Sequence, residues 1–284
     1  MIITQEPIAF HYLLTTLWIG LALIVTVVLQ FITAGYGRHS QPGRFKVKGQ
    51  CWVILNIIQM NNRLTWLLME IPSPTLILYF MVTSEPDHRD VARLLFGGLW
   101  LIHYFQRCFI FPFRIPSNNQ TMDLLICTCA FGFNLCNGYV VGRWMFIISP
   151  AQDYSFSTLQ TLSFFIGIIM FVYGFASNII CDGMLVDLKK KISSGKKEGE
   201  QVDPSGRYAV PRGYLFDYVA APNYFSEIVE WTGYYIMTQN YFTLSFLVWN
   251  LANLVPRART HLKWYRTTFP TYPKERKAVF PFLY

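Results

Sequence analysis

Long apolar runs separated by short charged segments dominate the hydrophobic pattern of this chain. The first run, residues 10–34, is uncharged, exceeds the roughly 7–15-residue core of a signal peptide and lacks a basic start, so we expect 1–34 to be a retained membrane anchor. Since about 20 apolar residues cross a bilayer as a helix, the later runs are further candidate spans. They lie near 64–83, 94–111, 122–147, 158–181, 225–239 and 241–255.

The pattern therefore predicts an all-α integral membrane protein, a single bundle of about seven transmembrane helices. Composition supports this class, because 53% of the 284 residues are apolar, 17% are aromatic and only 14% are charged. Soluble domains carry about 25% charged residues, so a disordered chain and an ordinary cytosolic domain are both disfavoured. No internal repeat or second domain is evident, and we expect one domain over 1–284.

Basic residues are distributed unevenly between the predicted loops. Most of the 24 Lys and Arg residues fall on loops near 35–51, 107–121 and 182–223 and in the tail after 256. The positive-inside rule then places the N-terminus in the lumen and the C-terminus in the cytosol. Residues 189–207, rich in Lys, Gly and Ser, are predicted to form a flexible cytosolic loop.

The net charge of +8 does not indicate a nucleic-acid partner, because the basic residues are spread over membrane-proximal loops without a recognition helix or finger spacing. Lipid head groups or a phosphate-bearing cofactor explain them better. The six cysteines include Cys127 and Cys129, which have no partner Cys or His at metal-ligand spacing, so we expect buried packing and no metal site. The sequon at Asn119 falls on the predicted cytosolic side and is discounted.

Ionisable and amide side chains within the predicted spans are few. Each ionised group there costs at least about 2.5 kcal/mol, which makes every one a candidate functional residue. Glu70 lies inside the second span, and Tyr104 and Arg107 share a face of the third at i,i+3 spacing. The remaining members of this group are His103, Asn134 and Asn137.

Three polar pairs with i,i+4 spacing recur at the predicted cytosolic helix ends. Each pair projects from one helix face. The pairs could line a polar pocket open to the cytosol, or they could simply bond the helices to one another. They are Asn178/Asp182, Asn223/Glu227, extended by Glu230, and His261/Tyr265. No GxGxxG, P-loop, HExxH or GxSxG signature occurs, so a nucleotide cofactor would not be held by a Rossmann domain.

The C-terminal third carries long matches to a known family. Residues 208–231 (YAVPRGYLFDYVAAPNYFSEIVEW), 256–265 (PRARTHLKWY) and 272–284 (YPKERKAVFPFLY) resemble the steroid 5α-reductase family. Weaker matches extend upstream of this reductase-like segment at 205–284. The resemblance therefore covers about residues 30–284 and leaves out only the first span. These weaker matches are Tyr36–His39, Met69–Ser73, His103–Arg107, Phe133–Tyr139 and Asn178–Asp182.

The resemblance implies a seven-helix reductase of the endoplasmic reticulum membrane that uses NADPH to saturate the Δ4 double bond of a 3-oxo steroid or sterol. Carried over by position, the carbonyl-binding pair falls on Glu70 and Tyr104. A carboxyl buried in an apolar environment can stay protonated, so Glu70 is expected to be a second hydrogen-bond donor beside the Tyr104 hydroxyl. The cofactor-binding set falls on Arg114, Asn178, Asp182, Lys189, Tyr208, Asn223, Glu227, Arg257, His261 and Tyr265.

Two departures from the family pattern bear on these expectations. Ala209 stands where many relatives carry Arg, which removes one expected phosphate contact that Lys196, Lys197 or Arg207 could replace. Met69 stands directly before Glu70, where the animal enzymes of the family have Gln. This difference agrees with the plant-type branch of the family. Sterols with long side chains are therefore as plausible as androgens.

Two kinds of alternative function remain open from the sequence, another enzyme of the same superfamily and a non-catalytic membrane protein. The fragments at 222–224 and 237–239 resemble segments of the trans-2-enoyl-CoA reductases of very-long-chain fatty acid elongation. A polyprenol reductase of the same superfamily is a related possibility. Two groups of residues follow the steroid branch instead and disfavour both of these enzymes. They are Glu70 with Tyr104, and Glu227 with the Glu230–Trp231 fragment. A non-catalytic sterol-binding protein or transporter is the remote alternative, and no obligate protein partner is indicated.

Overall fold

The computed structural model describes residues 7–31, 59–116, 121–196, 199 and 201–284. The Tyr36–His39 match, Asn119 of the sequon and Lys197 lie outside these residues. The described helices and strands are, in chain order, α1 (Ile8–Phe31), β1 (Gln59–Asn61), α2 (Asn62–Glu70), α3 (Pro72–Thr83), α4 (Val91–Phe105), α5 (Phe111–Arg114), β2 (Thr121–Asp123), α6 (Leu124–Arg143), α7 (Leu162–Ser193), α8 (Pro222–Thr238) and α9 (Tyr241–Thr268).

The prediction of an all-α membrane protein is confirmed. Within the described parts of the chain, β1 and β2 form the one two-stranded antiparallel sheet. Five of the described helical segments are long and apolar enough to cross a bilayer. They are Ile8–Phe31, Asn62–Thr83, Val91–Arg114, Leu124–Ile148 and Leu162–Ser193.

The last two predicted spans do not meet that standard. With 17 residues, α8 is about 25 Å long, less than the roughly 30 Å of a bilayer core. The 28 residues of α9 are long enough, but its second half carries Arg257, Arg259 and Lys263. A total of seven spans, and the orientation of the termini, therefore stay predictions.

Contacts group the chain into two compact units, each built from separate stretches of sequence. Among the described residues, unit 1 contains those within 1–18, 34–165 and 238–246, and unit 2 contains those within 19–33, 166–237 and 247–284. Because both units draw on the beginning, middle and end of the chain, neither is a contiguous sequence domain. One domain over 1–284 remains a prediction.

The break between α2 and α3 sets the place of Glu70 in unit 1. The Asn61 side chain caps α2 by accepting hydrogen bonds from the backbone N–H groups of Arg63 at 2.9 Å and Leu64 at 3.4 Å. Pro72 begins α3, where its fixed φ and missing N–H are tolerated. Glu70 therefore ends one helix just before the next begins.

The helices α3 and α6 approach closely at Gly138. A Cβ atom added to Gly138 would lie 2.8 Å from both the Cα and the carbonyl oxygen of Ser73, which are backbone atoms that cannot rotate away. The same helix carries Gly132, where an added Cβ would meet nothing within 4 Å. Gly138 thus permits a contact that any side chain would widen.

We expect Gly138→Ala to destabilise the protein, because overpacking of this kind costs about 1–3 kcal/mol. For a chain of this size, that cost lowers the Tm by about 2–10 °C. Thermal unfolding in detergent measures it, with Gly132→Ala as the matched control on the same helix. An unchanged Tm for Gly138→Ala would show that the backbones separate without cost.

In unit 2, glycines bring α7 and α8 together in a similar way. A Cβ added to Gly174 would lie 2.4 Å from the backbone nitrogen of Glu230, and one added to Gly233 would lie 2.5 Å from the carbonyl oxygen of Gly167. Small residues at such crossings are typical of membrane helices, since they let the backbones touch.

The predicted flexible loop at 189–207 begins later than expected. The helix α7 continues to Ser193, so Lys189 and the residues after it are helical up to that point. Lys190 and Lys191 lie in the last turn, where cations interact favourably with the helix dipole. Flexibility of the remaining residues stays a prediction.

Candidate active site

Glu70 and Tyr104 lie together in unit 1, joined by the Asn134 side chain. The Tyr104 hydroxyl donates to Asn134 Oδ1 at 2.8 Å. Asn134 Nδ2 donates to the Met69 carbonyl oxygen at 2.7 Å and to Glu70 Oε2 at 3.3 Å. Tyr104 and Asn134 are buried, with exposed fractions of 3% and 4%. Three helices therefore contribute to one buried polar network.

Tyr104 is held by aromatic packing along α4. The buried Trp100 ring, one turn earlier, stacks on the Tyr104 ring with 5.7 Å between centroids and an interplanar angle of 20°. Trp100 Nε1 donates to Ser73 Oγ at 2.9 Å. This bond ties Tyr104 indirectly to α3 at the close approach with Gly138. The tyrosine ring is thus fixed on a rigid surface, as a donor to a developing charge must be.

Arg107 lies in a single π-helical turn, Gln106–Ile110, that follows α4 directly. Such turns recur at functional sites. The guanidinium lies 4.8 Å from the Trp66 ring centroid and 4.9 Å from that of Phe111. Its NH2 group is 3.7 Å from Glu70 Oε1. Arg107 is therefore a cation beside the candidate catalytic carboxyl.

The surroundings of Glu70 differ from the apolar environment expected from the sequence. A guanidinium and an amide face its carboxyl group, whose side chain is 14% exposed, and both of these groups are hydrogen-bond donors. The arrangement is an ion pair, in which Glu70 accepts. The expectation of an apolar setting is wrong, because residues distant in sequence supply the polar partners. Donation by Glu70 stays a prediction.

The first predicted cofactor-binding cluster is assembled in unit 2 between α7 and the start of α8. Asn178 Nδ2 donates to the Asn223 carbonyl oxygen at 2.9 Å, and Asn223 Nδ2 donates to Asp182 Oδ1 at 3.0 Å. Two of the predicted i,i+4 pairs therefore meet across helices. These bonds hold the helices together, as the second interpretation of the pairs predicts, and cofactor binding by these residues stays a prediction.

A second cluster joins α9 to α8 through Tyr224, a residue that the sequence prediction missed. Arg257 NH2 donates to the Tyr224 hydroxyl at 2.9 Å, and His261 Nε2 lies 3.2 Å from the same oxygen. The Arg257 guanidinium also bonds Asn253 Oδ1 at 3.2 Å. In the sequence, Tyr224 is marked only by its position next to Asn223. That position does not reveal the partners of Tyr224 on α9.

Most of the remaining predicted cofactor-binding residues lie on several different helices. Asn250 Nδ2 donates to Glu227 Oε1 at 3.3 Å, and the Tyr265 ring stacks on that of Tyr272 with 5.0 Å between centroids. Lys189 is partly buried on α7. Arg114 ends α5 and belongs to unit 1, whereas the other predicted cofactor-binding residues belong to unit 2.

Tyr208 lies beside a turn organised by Asp203. The Asp203 carboxylate accepts hydrogen bonds from the backbone N–H groups of Arg207 at 2.8 Å and Tyr208 at 2.7 Å. Burial acts to raise the pKa of Asp203, but these bonds and those from Ser205 outweigh it and lower that pKa. The ionised carboxylate thus fixes the backbone next to Tyr208, whose ring meets Trp264 edge-on at 5.7 Å.

The helices define a multi-pass membrane protein, and comparison with known proteins defines its family. The model of the family described as 3-oxo-5-alpha-steroid 4-dehydrogenase matches residues 120–284. The chain is 38% identical to the steroid 5-alpha-reductase of Gossypium hirsutum over 99% of both chains, and 36% identical to that of Arabidopsis thaliana over 97% of both. It is 33% identical to 3-oxo-5-alpha-steroid 4-dehydrogenase 1 of Homo sapiens, over 88% of this chain and 86% of the human one.

The chain therefore belongs to the 3-oxo-5-alpha-steroid 4-dehydrogenase family and is an oxidoreductase of the class that acts on CH–CH bonds. The family resemblance stated from the sequence is confirmed. Its extent is wider than expected, since the similarity to the Gossypium hirsutum protein covers 99% of the chain and so includes the first helix.

Proposed function

We propose that this protein reduces the Δ4 double bond of a 3-oxo steroid or sterol in the endoplasmic reticulum membrane, with NADPH as reductant. The observation that carries the proposal is the buried network in which Asn134 joins the Tyr104 hydroxyl to the Glu70 carboxyl. The similarity to proteins named steroid 5-alpha-reductase supports the choice of substrate.

Reduction of an enone places negative charge on its C3 oxygen in the transition state. A donor aimed at that oxygen in a water-poor site stabilises the charge. The Tyr104 hydroxyl would be such a donor once its single proton, which Asn134 Oδ1 accepts here, turns to the steroid carbonyl, and its 3% exposure keeps bulk water from competing. Glu70 would add a second donor once it carries a proton, and the nearby Arg107 guanidinium contributes positive charge to the same region.

The residues of unit 2 fit a dinucleotide chemically. Bound NADPH would supply the hydride that adds to C5, while a proton from solvent adds to C4. Arg257 and Lys189 are cations suited to phosphates, as is Arg114 in unit 1, and the His261 imidazole offers a ring N–H to the same kind of group. Amides and carboxylates suit ribose hydroxyls and the carboxamide, and the chain offers Asn178, Asp182, Asn223 and Glu227 for these. Tyr208 and Tyr265 complete the proposed set.

Product analysis separates this proposal from its rivals. Membranes containing the protein are supplied with NADPH and a 3-oxo-Δ4 steroid, a trans-2-enoyl-CoA or a polyprenal, and the products are identified by mass. We expect the steroid to gain two hydrogens. Reduction of the acyl-CoA or the polyprenal alone would replace the steroid assignment, and no reduction of any of the three would favour a non-catalytic sterol-binding protein.

We expect NADPH to raise the Tm of the purified protein more than NADH does, because only NADPH has a 2′-phosphate for the basic residues to contact. A ligand at 100 times its Kd stabilises by about 2.7 kcal/mol. Arg257→Leu should lose most of this shift. Arg259→Leu is the matched control, since this exposed arginine two positions later bonds Gln30 at 2.9 Å. Equal shifts with NADH and NADPH would contradict the cofactor assignment.

A further inference from the structure

We infer that Asn134 is a positioning residue for the reaction, which orients the Tyr104 hydroxyl and the Glu70 carboxyl through one amide group. The inference rests on the proposed function and adds to it a residue that acts through Tyr104 and Glu70. It concerns how two groups from different helices are held in a fixed relation.

The amide orientation follows from its partners. Asn134 Nδ2 lies 2.7 Å from the Met69 carbonyl oxygen, which can only accept, so the amide nitrogen must face that side. Oδ1 must then face Tyr104 at 2.8 Å, and an amide oxygen can only accept. The Tyr104 hydroxyl has one proton, which it donates to Oδ1 in this arrangement, and a bound steroid carbonyl would take over that hydrogen bond from the oriented hydroxyl.

The same amide nitrogen also meets the carboxyl group. Nδ2 lies 3.3 Å from Glu70 Oε2, and Met69 is the residue immediately before Glu70. Asn134 therefore anchors both the backbone at the end of α2 and the Glu70 side chain. Its own position is fixed by burial, since it is 4% exposed and lies one turn before the close contact at Gly138.

Other side chains of similar size cannot meet all these demands. Leucine matches the shape but removes the hydrogen bonds that Asn134 makes with the buried Tyr104 hydroxyl and the Met69 carbonyl, which is costly. Aspartate keeps an acceptor for Tyr104 but turns a second acceptor toward Glu70. A protonated aspartic acid can donate to one of those acceptors, so its behaviour depends on pH.

Steady-state kinetics of Asn134→Leu and Asn134→Asp test the inference. We expect kcat for a 3-oxo-Δ4 steroid to fall about 10- to 100-fold in Asn134→Leu with KM within about threefold, because misplacement of about 1 Å costs up to 100-fold. Asn134→Asp should regain activity toward acidic pH. The matched control is Asn137→Leu, another buried amide on α6, which bonds Trp18 Nε1 at 3.0 Å and the Phe133 carbonyl at 2.9 Å.

A binding measurement provides a readout besides turnover. The unaltered protein should bind a 3-oxo steroid more tightly than its 3-deoxy analogue, and Asn134→Leu should lose that preference while Asn137→Leu keeps it. The inference would be overturned if Asn134→Leu kept both its kcat and its preference for the 3-oxo steroid. It would also be overturned if Asn137→Leu lost that kcat and preference to the same extent as Asn134→Leu. A lack of steroid reduction by the unaltered protein would instead overturn the proposed function.

Discussion

Replacing Tyr104 by phenylalanine is expected to lower kcat/KM for a 3-oxo-Δ4 steroid about 100- to 1,000-fold, the usual effect of removing one donor to a developing oxyanion. The ring and its stacking on Trp100 at 5.7 Å are retained, so the loss reports the hydroxyl alone. Kinetics in detergent or membranes measure the effect, and unchanged thermal stabilisation by NADPH would show that the cofactor site is intact.

Tyr79→Phe is the control for this variant. Tyr79 lies on α3 in the same unit and its side chain is 37% exposed, so removal of its hydroxyl should leave turnover unchanged. If Tyr104→Phe also kept full turnover, the role of Tyr104 as the carbonyl donor would be wrong.

Glu70→Ala is expected to lower kcat/KM about 100-fold, whereas Glu70→Gln should stay within about tenfold of the unaltered protein. Glutamine supplies N–H donors at the same reach, which is what a protonated Glu70 would offer. Alanine removes this group and leaves the Arg107 guanidinium, now 3.7 Å from Oε1, without its carboxylate.

The two Glu70 variants distinguish two explanations of the carboxyl group. If its negative charge beside Arg107 is what matters, glutamine should fail as badly as alanine. The exposed Glu85→Gln serves as a control for loss of one carboxylate in unit 1. Full turnover in both Glu70→Ala and Tyr104→Phe would refute the proposed site.

The shared faces of the i,i+4 pairs were predictable, because the helical period acts over a few residues. Asn178, Asp182 and Asn223 do meet, at 2.9 Å and 3.0 Å. The break at Pro72 was not part of the prediction, which treats 64–83 as one span. The residues from Lys189 onward are predicted to form a loop, but α7 continues to Ser193, since cations also suit the last turn of a helix.

The links within each cluster were not predictable. Asn134 was visible as a polar residue in a span, but its bonds to Tyr104 and Glu70 join residues 30 and 64 positions away. The ion pair of Arg107 with Glu70 and the bond from Arg257 to Tyr224 are of the same kind. Such contacts depend on how helices pack and not on the spacing along one helix.

The sequence alone determined the membrane class, the family and a set of candidate site residues, because hydropathy, charge and motif spacing are local properties of the chain. Only the tertiary structure decided that Glu70 faces a guanidinium and that one amide holds it beside Tyr104. The physical reason is that Gly138 lets the backbones of α3 and α6 approach closely, and the register of that packing determines which buried polar atoms come within hydrogen-bond distance.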